Sequence, residues 1–372
     1  MSIAFGETPA AASEPKPVVV PLKESERHPS IDVKINRKGP FRLLLDTGSG
    51  ADLIVDEELA AELGLKSSGT RRIGDPNSPD ALEAKVVKVD RVEVGALVLR
   101  NVSAISWKRK SLGGADSPRG VAGLGLFGAR LVTLDYGRGE LTVASGELPD
   151  ADGRSVLTAS FEDGIPSVPI DVAGVAFRAH LDSGSTGFVG LPLEAAERLP
   201  LEAPPVQVGR ARTASGDYPV TEASLTGSVH LGEIVIEHPK VRFVDLPQAN
   251  LGFDLLRSLI VTVDRKNARV RLVATGRPLT PTERPRLGVM IRGPKDGKLP
   301  IDKVVPGSPA EAAGVRDGDE IVRLNGRAVA EMSGSEVGQA MMARPLSISL
   351  LRDGAAVDVT VDAAPAAPPS PQ

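Results

Sequence analysis

The tripeptides Asp46-Thr47-Gly48 and Asp182-Ser183-Gly184 are the two matches to Asp-(Thr/Ser)-Gly in a chain of 372 residues. One such tripeptide alone reads as a turn, because Asp and Gly both favour turn backbones. Here each follows apolar strand-like residues, Leu43-Leu44-Leu45 and Ala179-His180-Leu181, and each precedes a serine and then a helical stretch. Water is a weak nucleophile and an amide a poor electrophile, so hydrolysis needs one group to take a proton while another gives one. Two carboxylates held against each other cannot both ionise. The charged one activates water and the protonated one polarises the carbonyl, and their ionisation belongs to the pair rather than to either residue. Gly48 and Gly184 allow the sharp backbone turn that presents each carboxylate.

The elements that must position this pair are duplicated. Phe41-Arg-Leu-Leu-Leu-Asp46-Thr-Gly-Ser49 aligns with Phe177-Arg-Ala-His-Leu-Asp182-Ser-Gly-Ser185 at an offset of 136 residues. Gly123-Leu-Gly-Leu-Phe aligns with Gly252-Phe-Asp-Leu-Leu, and Leu131-Val-Thr-Leu-Asp135 with Ile260-Val-Thr-Val-Asp264, both at 129. The drop from 136 to 129 places seven additional residues in the first copy. Each copy reads as a strand pair entering the Asp loop, a short helix (56–65 and 192–199), alternating strands and a closing hairpin. The hairpins span 132–143, turning at Tyr136-Gly-Arg-Gly, and 261–273, turning at Arg265-Lys-Asn. With 39 glycines, 31 prolines and 3% aromatics, the composition also favours short strands and tight turns. The expected class is mainly β.

These residues resemble the pepsin-like and retropepsin-like aspartic proteases, most closely the bacterial single-chain members with a retropepsin-sized lobe repeated, over roughly residues 29 to 275. The resemblance implies two homologous β lobes forming an acid-protease fold, with Asp46 and Asp182 as the catalytic pair. It implies that the hydroxyls of Thr47 and Ser183 hydrogen-bond across to the opposite loop. Gly123 and Gly252 would be the family's hydrophobic-hydrophobic-Gly positions beneath the loops; the second copy departs from that pattern with Asn250-Leu251-Gly252. Ser49 and Ser185, after the glycines, could donate to the outer carboxylate oxygens and lower the pair's pKa, which would favour an acid optimum; alternatively they are small polar residues at a helix start. A flap over the cleft is expected in 71–87 or 210–220, and Tyr218 is its candidate substrate contact. His180 reads as a packing residue of its strand.

From Leu287-Gly288-Val289-Met290-Ile291 through Gly314-Val315 to Val329, with a helix near 333–342, the chain resembles a PDZ domain of the bacterial type, a small barrel-like sheet with two helices. The resemblance implies a carboxylate-binding loop at Leu287–Val289. An edge strand Val289, Met290, Ile291 would accept a peptide against a helix bearing Val337 and Met341, a mode in which a chain terminus is captured by backbone N–H groups. The expected divisions are a flexible arm 1–28, lobes 29–148 and 155–275, a linker 276–285, the PDZ domain 286–363 and a proline-rich tail 364–372. The expected partners are polypeptide substrates and peptide or protein C-termini, with a monomer supplying one site per chain. A non-catalytic peptide-binding adaptor is the alternative.

A formal charge of −4 without long charged runs carries no footprint for nucleic acid. No stretch approaches the roughly 20 apolar residues of a membrane-spanning helix. The absence of cysteine excludes disulfides and a thiolate nucleophile. His230 and His238 lack metal-ligand spacing, so neither metal nor cofactor is expected. The start Met1-Ser-Ile-Ala-Phe-Gly-Glu lacks the basic and apolar regions of a signal peptide, and a periplasmic or extracellular location is implied by the family resemblance alone.

Overall fold

A computed structural model describes residues 16–25, 28–73, 82–107, 118–213, 216–282, 287–291, 295–332 and 334–362. The fold is mainly β, with a retropepsin-like domain in two regions and a C-terminal PDZ domain. Among the described residues no helix is long and apolar enough to cross a membrane.

The first region comprises β1 (Val18–Pro21), β2 (Lys23–Glu24), β3 (Pro29–Ile35), β4 (Lys38–Asp46), β5 (Leu53–Asp56), helix α1 (Glu57–Glu62), β6 (Ser67–Ile73), β7 (Leu82–Val94), β8 (Leu97–Trp107), β9 (Gly120–Gly123), β10 (Leu131–Asp135) and β11 (Glu140–Ala144). The second comprises β12 (Val156–Thr158), β13 (Ser160–Glu162), β14 (Ile165–Val172), β15 (Val175–Asp182), β16 (Val189–Pro192), β17 (Val206–Thr213), β18 (Gly216–Ser224), β19 (Ser228–Leu231), β20 (Ile234–Glu237), β21 (Lys240–Val244), β22 (Ala249–Gly252), helix α2 (Phe253–Leu256), β23 (Leu259–Asp264) and β24 (Arg269–Ala274). The strand order β3-β4-β9-β5-β8-β7-β6 of one lobe recurs as β14-β15-β22-β16-β21-β18-β17 in the other. The apolar run Leu43-Leu44-Leu45 near the end of β4 is buried on both faces, which explains why it does not alternate.

The short helices differ between copies. Asp56 caps α1, its carboxylate accepting from the Leu59 N–H at 2.5 Å, and Glu57 and Glu58 occupy the first turn where the helix dipole favours negative charge. The corresponding stretch of the second copy is a 3-10 turn, Leu193–Glu197. In both copies a strand, β5 or β16, separates the Asp loop from this turn, so Ser49 and Ser185 do not begin a helix.

The closing hairpins do more than end each lobe. They pair with each other, β10 antiparallel to β23, to form a shared six-stranded sheet β1-β11-β10-β23-β24-β12. Thr133 and Thr262 face one another at its centre, hydroxyl to hydroxyl at 3.0 Å. The expectation of a flexible arm is corrected here. Residues 18–21 and 23–24 of the supposed arm are strands, because β1 adds to β11 with Val20 buried and β2 adds to β3, with Leu22 buried between them. The start of the supposed linker is bound down: Arg277 donates to the Glu24 carboxylate and to the Tyr136 and Arg257 carbonyls, and Thr282 donates to Asp254.

The PDZ domain contains β25 (Val289–Ile291), β26 (Leu299–Val304), helix α3 (Pro309–Ala312), β27 (Glu320–Leu324), β28 (Arg327–Ala328), helix α4 (Gly334–Met342), β29 (Leu346–Arg352) and β30 (Ala355–Val361) around its own core. Among the described residues β25 is an edge strand, paired only with β26. The Gln207 amide on β17 meets Met290 Sδ on β25 at 3.7 Å, so this strand touches the second lobe.

Candidate active site

Asp46 and Asp182 are the last residues of β4 and β15, each emerging beside a parallel strand whose final glycine is its register partner, Gly123 in β9 and Gly252 in β22. The two loops then interlock. Thr47 N–H donates to Ser183 Oγ at 3.0 Å while Thr47 Oγ1 donates to the Leu181 carbonyl at 2.6 Å. Reciprocally, Ser183 N–H donates to Thr47 Oγ1 at 2.9 Å and Ser183 Oγ donates to the Leu45 carbonyl at 2.7 Å. Both side chains are buried, so each hydroxyl has both a donor and an acceptor and no polar atom is left stranded.

This interlock sets the carboxyls of Asp46 and Asp182 close together, each against the opposite loop. Each loop glycine packs against the opposite aspartate. A Cβ on Gly184 would stand 2.5 Å from the Asp46 carboxyl, and one on Gly48 would overlap Asp182. Gly252 and Gly123 run beneath the loops, where a Cβ would strike the carbonyls of Gly187 and Ala51. Fully buried Tyr136 packs edge-on to Phe253 at 5.6 Å and lies near Ser183 and Asp46, closing the floor.

Burial and the charge of Asp182 push the Asp46 carboxyl up to about 7. Burial also raises Asp182, but the Ser185 N–H, the Asn250 amide, the Gly184 N–H and nearby His180 oppose that rise. The fixed N–H donors thus favour the charged form of Asp182, against its burial. His180 is itself held below the ordinary histidine range by burial, against the pull of Asp182 and Glu162.

The serine expectation is corrected. Ser49 Oγ donates to the Ala51 carbonyl at 3.1 Å, and Ser185 Oγ accepts from Gly187 N–H at 3.4 Å. What donates to the outer oxygen of Asp182 is the Asn250 side chain, Nδ2 to Oδ2 at 3.3 Å. Sequence reasoning passed over Asn250, although its departure from the apolar pattern before Gly252 was the available signal.

Tyr218 lies on β18 opposite Ala211, in a hairpin whose ladder matches that of β6 and β7 from bulge to tip. The tip of the other flap candidate, 74–81, lies outside the described residues. In the PDZ domain, Leu287 is in the core and Gly288 has a positive φ with its carbonyl bonded to Val305 N–H at 2.8 Å. Val289 and Ile291 pack on the same cluster as Val337 and Met341 of α4, and Met290 points to the second lobe. Among the described residues, no group of three or more His, Cys, Asp or Glu side chains could hold a metal ion.

The sequence pattern of the aspartyl protease family matches residues 31–129 and 168–255, and that of the PDZ domain matches residues 279–351. No curated protein matches the chain.

Proposed function

Because the chain belongs to the aspartyl protease family, we propose that it is an endopeptidase in which water bound between Asp46 and Asp182 attacks the peptide carbonyl, and that its PDZ domain holds peptide or protein C-termini. The observation that carries this reading is the juxtaposition of the two carboxyls across the facing loops, fixed by the reciprocal bonds of Thr47 and Ser183. The ionised carboxylate takes a proton from water as its oxygen bonds to the carbonyl carbon, and the protonated carboxyl gives its proton to the carbonyl oxygen. Collapse of the tetrahedral species then breaks the C–N bond, with a proton passing to the leaving nitrogen. Thr47, Gly48, Ser183, Gly184, Gly123 and Gly252 hold the loops, and Tyr218 contacts substrate from its hairpin. In the PDZ domain, Leu287 and Gly288 form the terminus-binding loop, while β25, Val337 and Met341 line the groove.

The test is cleavage of a denatured protein between pH 3 and 7 by wild type, Asp46→Asn and Asp182→Asn, with a statine-type inhibitor as control. Each substitution is expected to lower the rate at least about a thousandfold, because neither half of the proton exchange works alone. Activity unchanged in both variants would remove the mechanism and favour a non-catalytic peptide-binding adaptor.

A further inference from the structure

The two copies are alike in backbone but not in what stands behind the two aspartates. In the first, Leu44 of β4 is the register partner of Val121 in β9, two positions before Asp46 and Gly123. In the second, the equivalent partners are His180 of β15 and Asn250 of β22, two positions before Asp182 and Gly252. An apolar pair in one lobe is a polar pair in the other, and side chains two apart on a strand share a face. The consequence is visible at the carboxyls. Within its own lobe Asp182 accepts three N–H bonds: from Gly184 at 2.9 Å and Ser185 at 3.0 Å on Oδ1, and from the Asn250 amide at 3.3 Å on Oδ2. Among the described residues Asp46 accepts one from its own lobe, Gly48 N–H at 2.8 Å, and the Gly184 N–H of the other lobe also favours its charge.

We infer that Asn250 is a positioning residue that keeps the negative charge of the pair on Asp182, making Asp182 the base toward water and Asp46 the acid toward the carbonyl oxygen. The inference rests on the proposed catalytic reading of the pair. N–H donors stabilise a carboxylate and not its protonated form, so the better-supplied partner loses its proton first. The groups facing Asp182 are Asp46 from β4 and His180 from its own strand, with Glu162 of β13 acting on His180. Tyr136, near Asp46, is held neutral by burial. Protonated His180 would also favour charge on Asp182, so its contribution must be separated.

The experiment measures kcat/KM on a short peptide from pH 3 to 8 for wild type, Asn250→Leu, Asn250→Val and His180→Leu. Loss of the amide makes Asp182 harder to ionise, so the acid limb moves up. Both Asn250 variants are expected to fall about tenfold at pH 4 and by less than about threefold at pH 6. A uniform fall, no fall, or a limb that moves in His180→Leu instead overturns the inference. Carboxyl ¹³C NMR of the wild-type protein at pH 5.5, with signals assigned by their loss in Asp46→Asn and Asp182→Asn, supplies a readout independent of turnover and of how the Asn250 variants fold. Asp182 is expected ionised and Asp46 protonated; the opposite assignment overturns the inference. If the two aspartate variants keep full activity, the catalytic reading fails while the NMR assignment still decides where the charge lies.

Discussion

Asp46 carries a cost that its neighbours can only partly offset. Its ordinary value of 3.8 is raised to about 7 in the folded chain by burial and by Asp182. A group raised on folding contributes its full stability below the unfolded value, and that contribution is lost as pH climbs through the folded value. The loss therefore accumulates between pH 3.8 and 7. Asn at this position does not titrate. Asp46→Asn should thus gain thermal stability over wild type as pH rises from 4 to 8, by a few kcal/mol at most. Melting curves at the two ends of that range check it, and a gap that does not widen with pH would contradict the burial argument. On the proposed mechanism the same rise should carry the upper limb of activity toward neutrality, which a pH–rate profile checks.

At the scale of elements, the site depends on strands passing under loops with no room for a side chain. β22 reaches the Asp182 loop at Gly252, whose N–H bonds to the Phe188 carbonyl at 3.0 Å and whose Cα faces the Gly187 backbone. Gly252→Ala would push the loop away from Asp46. Displacement of a reacting group by about 1 Å costs on the order of a hundredfold in rate, so kcat should fall by about that factor in protein that still folds. Gly209, on β17, has open space where a Cβ would sit. Gly209→Ala should match wild type, and equal loss in both variants would mean that the effect is general. The two hairpins make a related point about the extra residues of the first copy. Gly69–Ile73 pairs with Leu82–Val86 as Gly209–Thr213 pairs with Gly216–Val220. The tips between them differ by six residues, 74–81 against 214–215, and a further excess of the first copy lies between β8 and β9, 108–119 against 245–248.

At the scale of the whole molecule, three interlocks join parts that are distant in sequence. The central sheet joins the lobes through β10 and β23, the Thr47 and Ser183 bonds join the Asp loops, and Glu24 joins β2 to Arg257 and Arg277. The last of these anchors the chain just before the PDZ domain, and the contact of Gln207 with Met290 brings β25 against the second lobe. A peptide added to β25 would thus be held beside the root of the β17–β18 hairpin. Removing residues 285–372 leaves Arg277 and Thr282 in place. It should raise KM for a protein substrate at least about tenfold while sparing a short peptide, since an anchored substrate benefits from a raised effective concentration. Equal loss on both substrates would give the PDZ domain a structural role instead.

The sequence by itself determined the mainly β class, the duplication and the PDZ pattern, because these reside in local apolar patterning, turn residues and repeated motifs that survive without three-dimensional context. It also marked Asp46 and Asp182, since a repeat of a turn-forming tripeptide at matched positions is a local signal. Tertiary structure alone decided what surrounds them. Ser49 and Ser185 bond within their own loops because the chain turns back on itself there, and the donor to Asp182 arrives from Asn250, 68 residues away, through parallel strand pairing that no sequence spacing encodes. Residues 18–24 belong to the arm 1–28 that is expected from sequence to be flexible. They order because β11 and β3 offer edges to β1 and β2, and a strand that borrows its hydrogen bonds from another element has no signature of its own.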